Sequence, residues 1–98
     1  MKPKSSARFA SIDFETDDRC GDSACAVAVV IVENGEIINR MYQLIKPPRR
    51  EFEFTYLHGI EWEHVKDQPT FQEVWPLLEG YLKGSAFIAA HNAGFEFK

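Results

Sequence analysis

The sequence predicts one α/β domain built on a mixed sheet. Three observations predict it. A β-branched apolar run, Cys25 to Glu33, ends at Asn34-Gly35 and is answered by a second extended run, Glu36 to Ile45. A capping pattern at Thr70 opens a segment whose apolar residues recur at helical spacing as far as Leu82. A short apolar run, Ala86 to Ala90, follows that segment, as expected when a helix returns the chain to a sheet. The 98 residues leave room for one core and one domain.

Taken in order, Arg8 to Phe14 alternates, with Phe9, Ser11 and Asp13 on one side and Ala10, Ile12 and Phe14 on the other, which is a strand. Thr16 to Ala24 is dense in Asp, Gly and Ser and reads as a loop. Cys25 to Glu33 is apolar on both faces, so it belongs in the middle of the sheet. Asn34-Gly35 suits a tight hairpin because both turn positions need positive φ, and Glu36 to Ile45 is the return strand. The prolines at 47 and 48 then stop the sheet. Glu51 to Asp67 reads as irregular, with a short helical turn around Trp62 to Lys66. Thr70 and Glu73 form a capping box for a helix whose apolar residues are Phe71, Val74, Trp75, Leu78 and Leu82, and Pro76 is expected to kink it or delay its start. Gly84-Ser85 ends the helix, and Ala86 to Ala90 reads as a short buried strand that the chain leaves at His91-Asn92.

Composition narrows the function. With 45% hydrophobic and 13% aromatic residues the chain can build a core. Fifteen acidic residues face 11 basic ones, and three of the basic ones lie in the arm formed by residues 1–8; the remainder carries 8 basic and 15 acidic residues, a net −7. A strongly basic nucleic-acid surface is therefore excluded, although metal ions could supply positive charge where an acidic protein meets phosphate. No apolar run is long enough to span a bilayer, and the arm lacks the apolar stretch of a signal peptide, so no membrane partner is expected. Cys20 and Cys25 match neither a redox motif nor half a zinc site; reduced thiols in the cytoplasm are the expectation.

Asp13 and Glu15 are the sharpest chemical feature. Two residues apart on a strand, they project from one face, and oxygen-only pairs of this kind suit Mg²⁺ or Mn²⁺. The same pair also reads as a solvated strand end. Asp17, Asp18 and Asp22 read as a solvated acidic loop. Glu96, in the stretch after the last strand, could bring a third carboxylate if that strand lies beside the first, while His91 and Asn92 suit capping roles equally well. His58 reads as a surface residue, a metal ligand or a nucleobase contact. Phe52, Phe54, Tyr56 and Trp62 around it read as packing or, if exposed, as stacking platforms for bases. Lys46, Arg49 and Arg50 read as a solvated loop or a phosphate contact.

Taken together, FASIDFET, ACAVAVVIVENGEI, LIKPP, LHGIEWEHVKDQPTFQEVWP and IAAHNAGFE resemble the DnaQ-like (DEDD) 3′–5′ exonucleases, from about Phe9 to the last residue. The resemblance implies an RNase H-like mixed sheet, an antiparallel hairpin meander plus a parallel strand, with flanking helices. It implies two Mg²⁺ or Mn²⁺ ions and hydrolysis at the 3′ end of single-stranded DNA or RNA, with a polymerase as partner for the proofreading type. Matched residue by residue, Asp13 and Glu15 fall on the family's first two acidic metal ligands. Phe14, Thr16, His58, Asn92 and Phe95 fall on substrate-binding positions, and Glu96 falls where the family has its third acid, an aspartate.

Two departures bear on activity. Glutamate for aspartate at 96 moves the carboxylate by about 1.5 Å, one bond length. The family's general-base histidine and fourth acid lie further along than Lys98, so residues 9–98 are expected to be the N-terminal portion of a single exonuclease domain with its C-terminal part missing. A non-catalytic nucleic-acid- or partner-binding module is the alternative that these departures suggest. The resemblance places Ala86 to Ala90 beside the first strand, with more sheet and helix to follow, so the chain alone is expected to self-associate through an open apolar edge.

Overall fold

A computed structural model describes residues 8–16 and 23–91. Seven elements are described: strands β1 (Arg8–Thr16), β2 (Ala24–Glu33) and β3 (Glu36–Leu44), helices α1 (Thr55–His58), α2 (Trp62–Val65) and α3 (Phe71–Leu82), and strand β4 (Phe87–His91). The sheet order is β3-β2-β1-β4. β2 pairs antiparallel with both β1 and β3, whereas β4 lies parallel to β1. The mixed meander with one parallel strand is the expected architecture, and the parallel pair requires the crossover that α3 supplies.

Alternation on β1 divides the sheet into two faces. Ala10, Ile12 and Phe14 are buried on one, while Asp13 is exposed and Glu15 half-buried on the other. α3 covers the first face. Val74 and Leu78 pack with Ala10, Ile12, Phe14, Val27, Val29 and Ile31, and Phe71, Trp75, Tyr81 and Leu82 close the edges. The rings of Phe14 and Phe71 lie 6.0 Å apart at 56°, a tilted contact. Burying Val74 and Leu78 contributes about 1.5–3 kcal/mol each. A smaller cluster of Cys25, Ala26, Ile60 and Val65, with Leu44, Phe52 and Trp62 against it, seats the α1–α2 segment at the carboxylate end of the sheet.

Local signals place most elements. Asn34 and Gly35 take φ of 56° and 81°, the left-handed pair that a two-residue hairpin needs. At α3 the capping box is reciprocal: the Glu73 amide donates to Thr70 Oγ1 at 3.3 Å, and the Thr70 amide donates to Glu73 Oε1 at 2.9 Å.

The structure differs from expectation in four places. α3 starts at Phe71 rather than after Pro76 and continues past it, the exposed ring putting the lost bond to the Gln72 carbonyl on the solvent side. The stretch read as irregular holds α1 as well as α2. Thr16 and Ala24, read as loop, are strand residues paired with each other. β4 is not buried: Phe87 and Ile88 are 56% and 48% exposed, because β1 is its only strand neighbour among the described residues.

Candidate active site

Asp13 and Glu15 share the sheet face that α3 does not cover. Directly opposite them on β2 stand Ala28 and Ala26. Ala28 is only half-buried, so space beside Asp13 stays open, whereas Ala26 is fully buried against Ile60 and Val65, so the α1–α2 segment closes over the β2 side of Glu15. Beyond Ala28, on β3, stands Tyr42, with Arg40 two residues before it on the same face; both are exposed. Tyr42 senses the site. Its phenol is held above the usual value of 10.0 first by the partial desolvation of its inner side, then by the negative charge that Cys25 and Glu15 can carry. On the other side of β1, His91 of β4 is in register with Asp13. The last described residue of β4 is therefore level with Asp13.

The end of β1 is shaped by an irregularity. Glu15 pairs with Ala26 but Thr16 with Ala24, so Cys25 is an extra residue on β2. The Cys25 carbonyl accepts from the Ile45 amide at 2.8 Å. Into this bulge reaches His58 from the end of α1. Its Nε2 lies 3.0 Å from the Thr16 carbonyl oxygen and 3.8 Å from Cys25 Sγ. Its Nδ1 accepts from the Ile60 amide at 3.0 Å. Gly59, at φ 77°, makes the reversal that brings the Ile60 amide round to the ring.

The residues singled out by sequence fall into three groups. Asp13, Glu15, Thr16 and His58 come together at the end of β1. Phe14 lies beside them in sequence, but its side chain is 1% exposed under α3, so a nucleotide at the carboxylates would meet its backbone alone. Asn92, Phe95 and Glu96 lie outside the described residues, as do Asp17, Asp18, Cys20 and Asp22. Phe52 and Trp62 pack into the small cluster, with the Arg50 guanidinium 5.7 Å from the Trp62 ring. A cleft of about 510 Å³ lies between α3 and the β2–β3 hairpin, lined by Ile31, Ile38, Pro76, Leu77 and Tyr81. Neither carboxylate lines it. Sequence reasoning missed Tyr42 and Arg40: alternation puts them on one face of β3 with Leu44 but does not say which face of the sheet that is.

Oxygen-only donors on one open face fit a hard divalent cation. Among the described residues, however, no set of three or more acidic, histidine or cysteine side chains converges. Asp13 and Glu15 are the two carboxylates that the described residues place together on this face.

Comparison with known proteins identifies the fold. An exonuclease family model, RNase T, matches residues 11–97. A DNA polymerase III of PolC type from Thermotoga petrophila is 35% identical over 94% of this chain, and the 3′-5′ exonuclease DinG of Bacillus subtilis is 34% identical over 91%. The matched segments are 7% and 10% of those two proteins, so the chain spans a tenth or less of their length. The solved structure of Exonuclease X in complex with 5′ overhanging duplex DNA superposes with a TM-score of 0.71 at 31% identity, covering 89% of this chain and 50% of that one. The sheet is thus RNase H-like, as the motifs implied.

Proposed function

Because the chain belongs to the RNase T exonuclease family, we propose that it carries the carboxylate face of a 3′–5′ exonuclease that removes nucleotides from single-stranded DNA ends. One observation carries the reading: Asp13 and Glu15 project together from the face of β1 that α3 leaves free, Asp13 exposed beside Ala28 and Glu15 half-buried where the α1–α2 segment covers Ala26. DNA is favoured as substrate because one named relative is a DNA polymerase and the solved neighbour holds DNA. A polymerase is the partner we propose on the same ground.

Asp13 and Glu15 would hold Mg²⁺ or Mn²⁺, with Glu96 as the third acid. Such ions neutralise phosphate charge and make a bound water more acidic. The chain's residues do the rest of the work. Asp13, the more exposed, meets the phosphate; Glu15, half-buried, is held from behind by the Phe14 ring in the core. Ala28 leaves the scissile phosphate room beside Asp13. Tyr42 offers a face for base stacking and Arg40 a charge for the backbone phosphates.

The test is release of nucleotides from a 3′-labelled single-stranded oligonucleotide by the protein that carries this domain. Release should require Mg²⁺ or Mn²⁺ and vanish in Asp13→Ala. Release that persists in Asp13→Ala overturns the assignment, and metal-dependent binding without cleavage would fit a non-catalytic module instead.

A further inference from the structure

We infer that His58 is a positioning residue, whose ring pins the Thr16 carbonyl and so holds the end of β1 where Glu15 presents its carboxylate; the inference rests on Asp13 and Glu15 being cation ligands. Glu15 is bracketed. On one side Phe14 is anchored in the core beneath α3. On the other, Thr16 is the last residue of β1 and follows the register shift, where the ladder alone holds the backbone poorly. The imidazole Nε2 at 3.0 Å from the Thr16 oxygen supplies the second anchor, across 42 residues of chain.

The local structure around His58 prepares the ring for this contact. The Ile60 amide donates to Nδ1, so the proton of a neutral ring sits on Nε2 and is aimed at Thr16. Gly59 at φ 77° permits that return, and the Ile60 side chain, 7% exposed, is locked against Cys25, Ala26 and Val65. Thr55 Oγ1 donates to the Ile60 carbonyl at 2.7 Å and closes the turn. Each residue of His58-Gly59-Ile60 therefore has a separate part: donor, reversal and anchor. With both nitrogens engaged by backbone, the ring has only its carbon edge and face left for a nucleotide. Supporting contacts of this kind fix how a ligand side chain is presented.

Two measurements on the chain test the inference. Nitrogen-15 correlation spectra of the His58 ring should show the Nε2–H tautomer. Calorimetry should show Mn²⁺ binding weakened about tenfold in His58→Ala, the lower end of what such supporting contacts contribute. His58→Gln, whose amide can still donate towards Thr16, should recover most of the affinity. His58→Asn, which keeps an acceptor for Ile60 but falls short of Thr16, should not; amide spectra of both variants establish that they are folded. An Nδ1–H ring overturns the proposal, as does wild-type affinity in His58→Ala or His58→Asn when Asp13→Ala abolishes binding. Mn²⁺ binding that survives Asp13→Ala overturns the carboxylate site itself, and with it the role given to His58, even where the tautomer is the one expected.

Discussion

Asp13 stands directly opposite Ala28 in the antiparallel β1–β2 pair, and a methyl group is all that faces the carboxylate across the ladder. Cβ atoms in such pairs are about 4.5–5.5 Å apart, so any larger residue at 28 would intrude on whatever Asp13 binds. Ala28→Leu should fold, since position 28 is only half-buried. It should weaken Mn²⁺ binding by about tenfold, the scale of a disturbed ligand environment. Calorimetry on the variant checks this, and wild-type affinity would mean the space is not used.

Gly59 has nothing within 4 Å of where a Cβ would lie, and its φ is 77°. Gly59→Ala should therefore cost backbone strain without a clash, about 1–2 kcal/mol. Urea denaturation measures the loss. A neutral substitution would show that the reversal between His58 and Ile60 tolerates another conformation.

Thr70→Ala removes the acceptor for the Glu73 amide at the start of α3. About 1 kcal/mol of stability should go with it, again by denaturant titration. Thr70→Ser, which keeps the hydroxyl, should lose far less.

Tyr42 should titrate above 10.0, with burial the largest cause and the Cys25 and Glu15 charges behind it. Glu15→Gln should lower that titration while leaving it raised, because burial and Cys25 remain. Ultraviolet titration against Tyr42→Phe isolates the signal. The sign for stability follows. Below pH 10 both states hold the proton and Tyr42 contributes nothing; as pH rises through 10 the unfolded chain loses its proton first, so stability falls. An unchanged titration in Glu15→Gln would separate Tyr42 from the carboxylate face.

Self-association of the chain is expected through β4, which is the edge strand among the described residues and on which Ile88 is 48% exposed. Phe87 is partly occupied by its stack on Phe9, with centroids 4.9 Å apart, so Ile88 is the cleaner probe. Light scattering coupled to size exclusion should report more than one chain, and Ile88→Lys should reduce the mass. A monomer at all dilutions would refute the edge as a pairing surface.

The sequence by itself determined whatever depends on neighbours a few residues apart. Alternation from Phe9 to Phe14 sorted β1 into a core face and a carboxylate face; Asn34-Gly35 set the hairpin; Thr70 and Glu73 started α3. Those are local preferences, and the backbone obeyed them. Pairing across long stretches of chain was decided only in the tertiary structure. Counting back from the two-residue turn would set Ala28 against Met41, but Ile38 is an extra residue on β3 and shifts the register by one. Tyr42 thereby moves to the carboxylate face and Met41 to the core, because a one-residue slip turns every side chain over. The same holds for the Cys25 bulge and for the contact of His58 with Thr16. No periodicity within either segment encodes them, since each is fixed by how the α1–α2 cluster seats against the sheet.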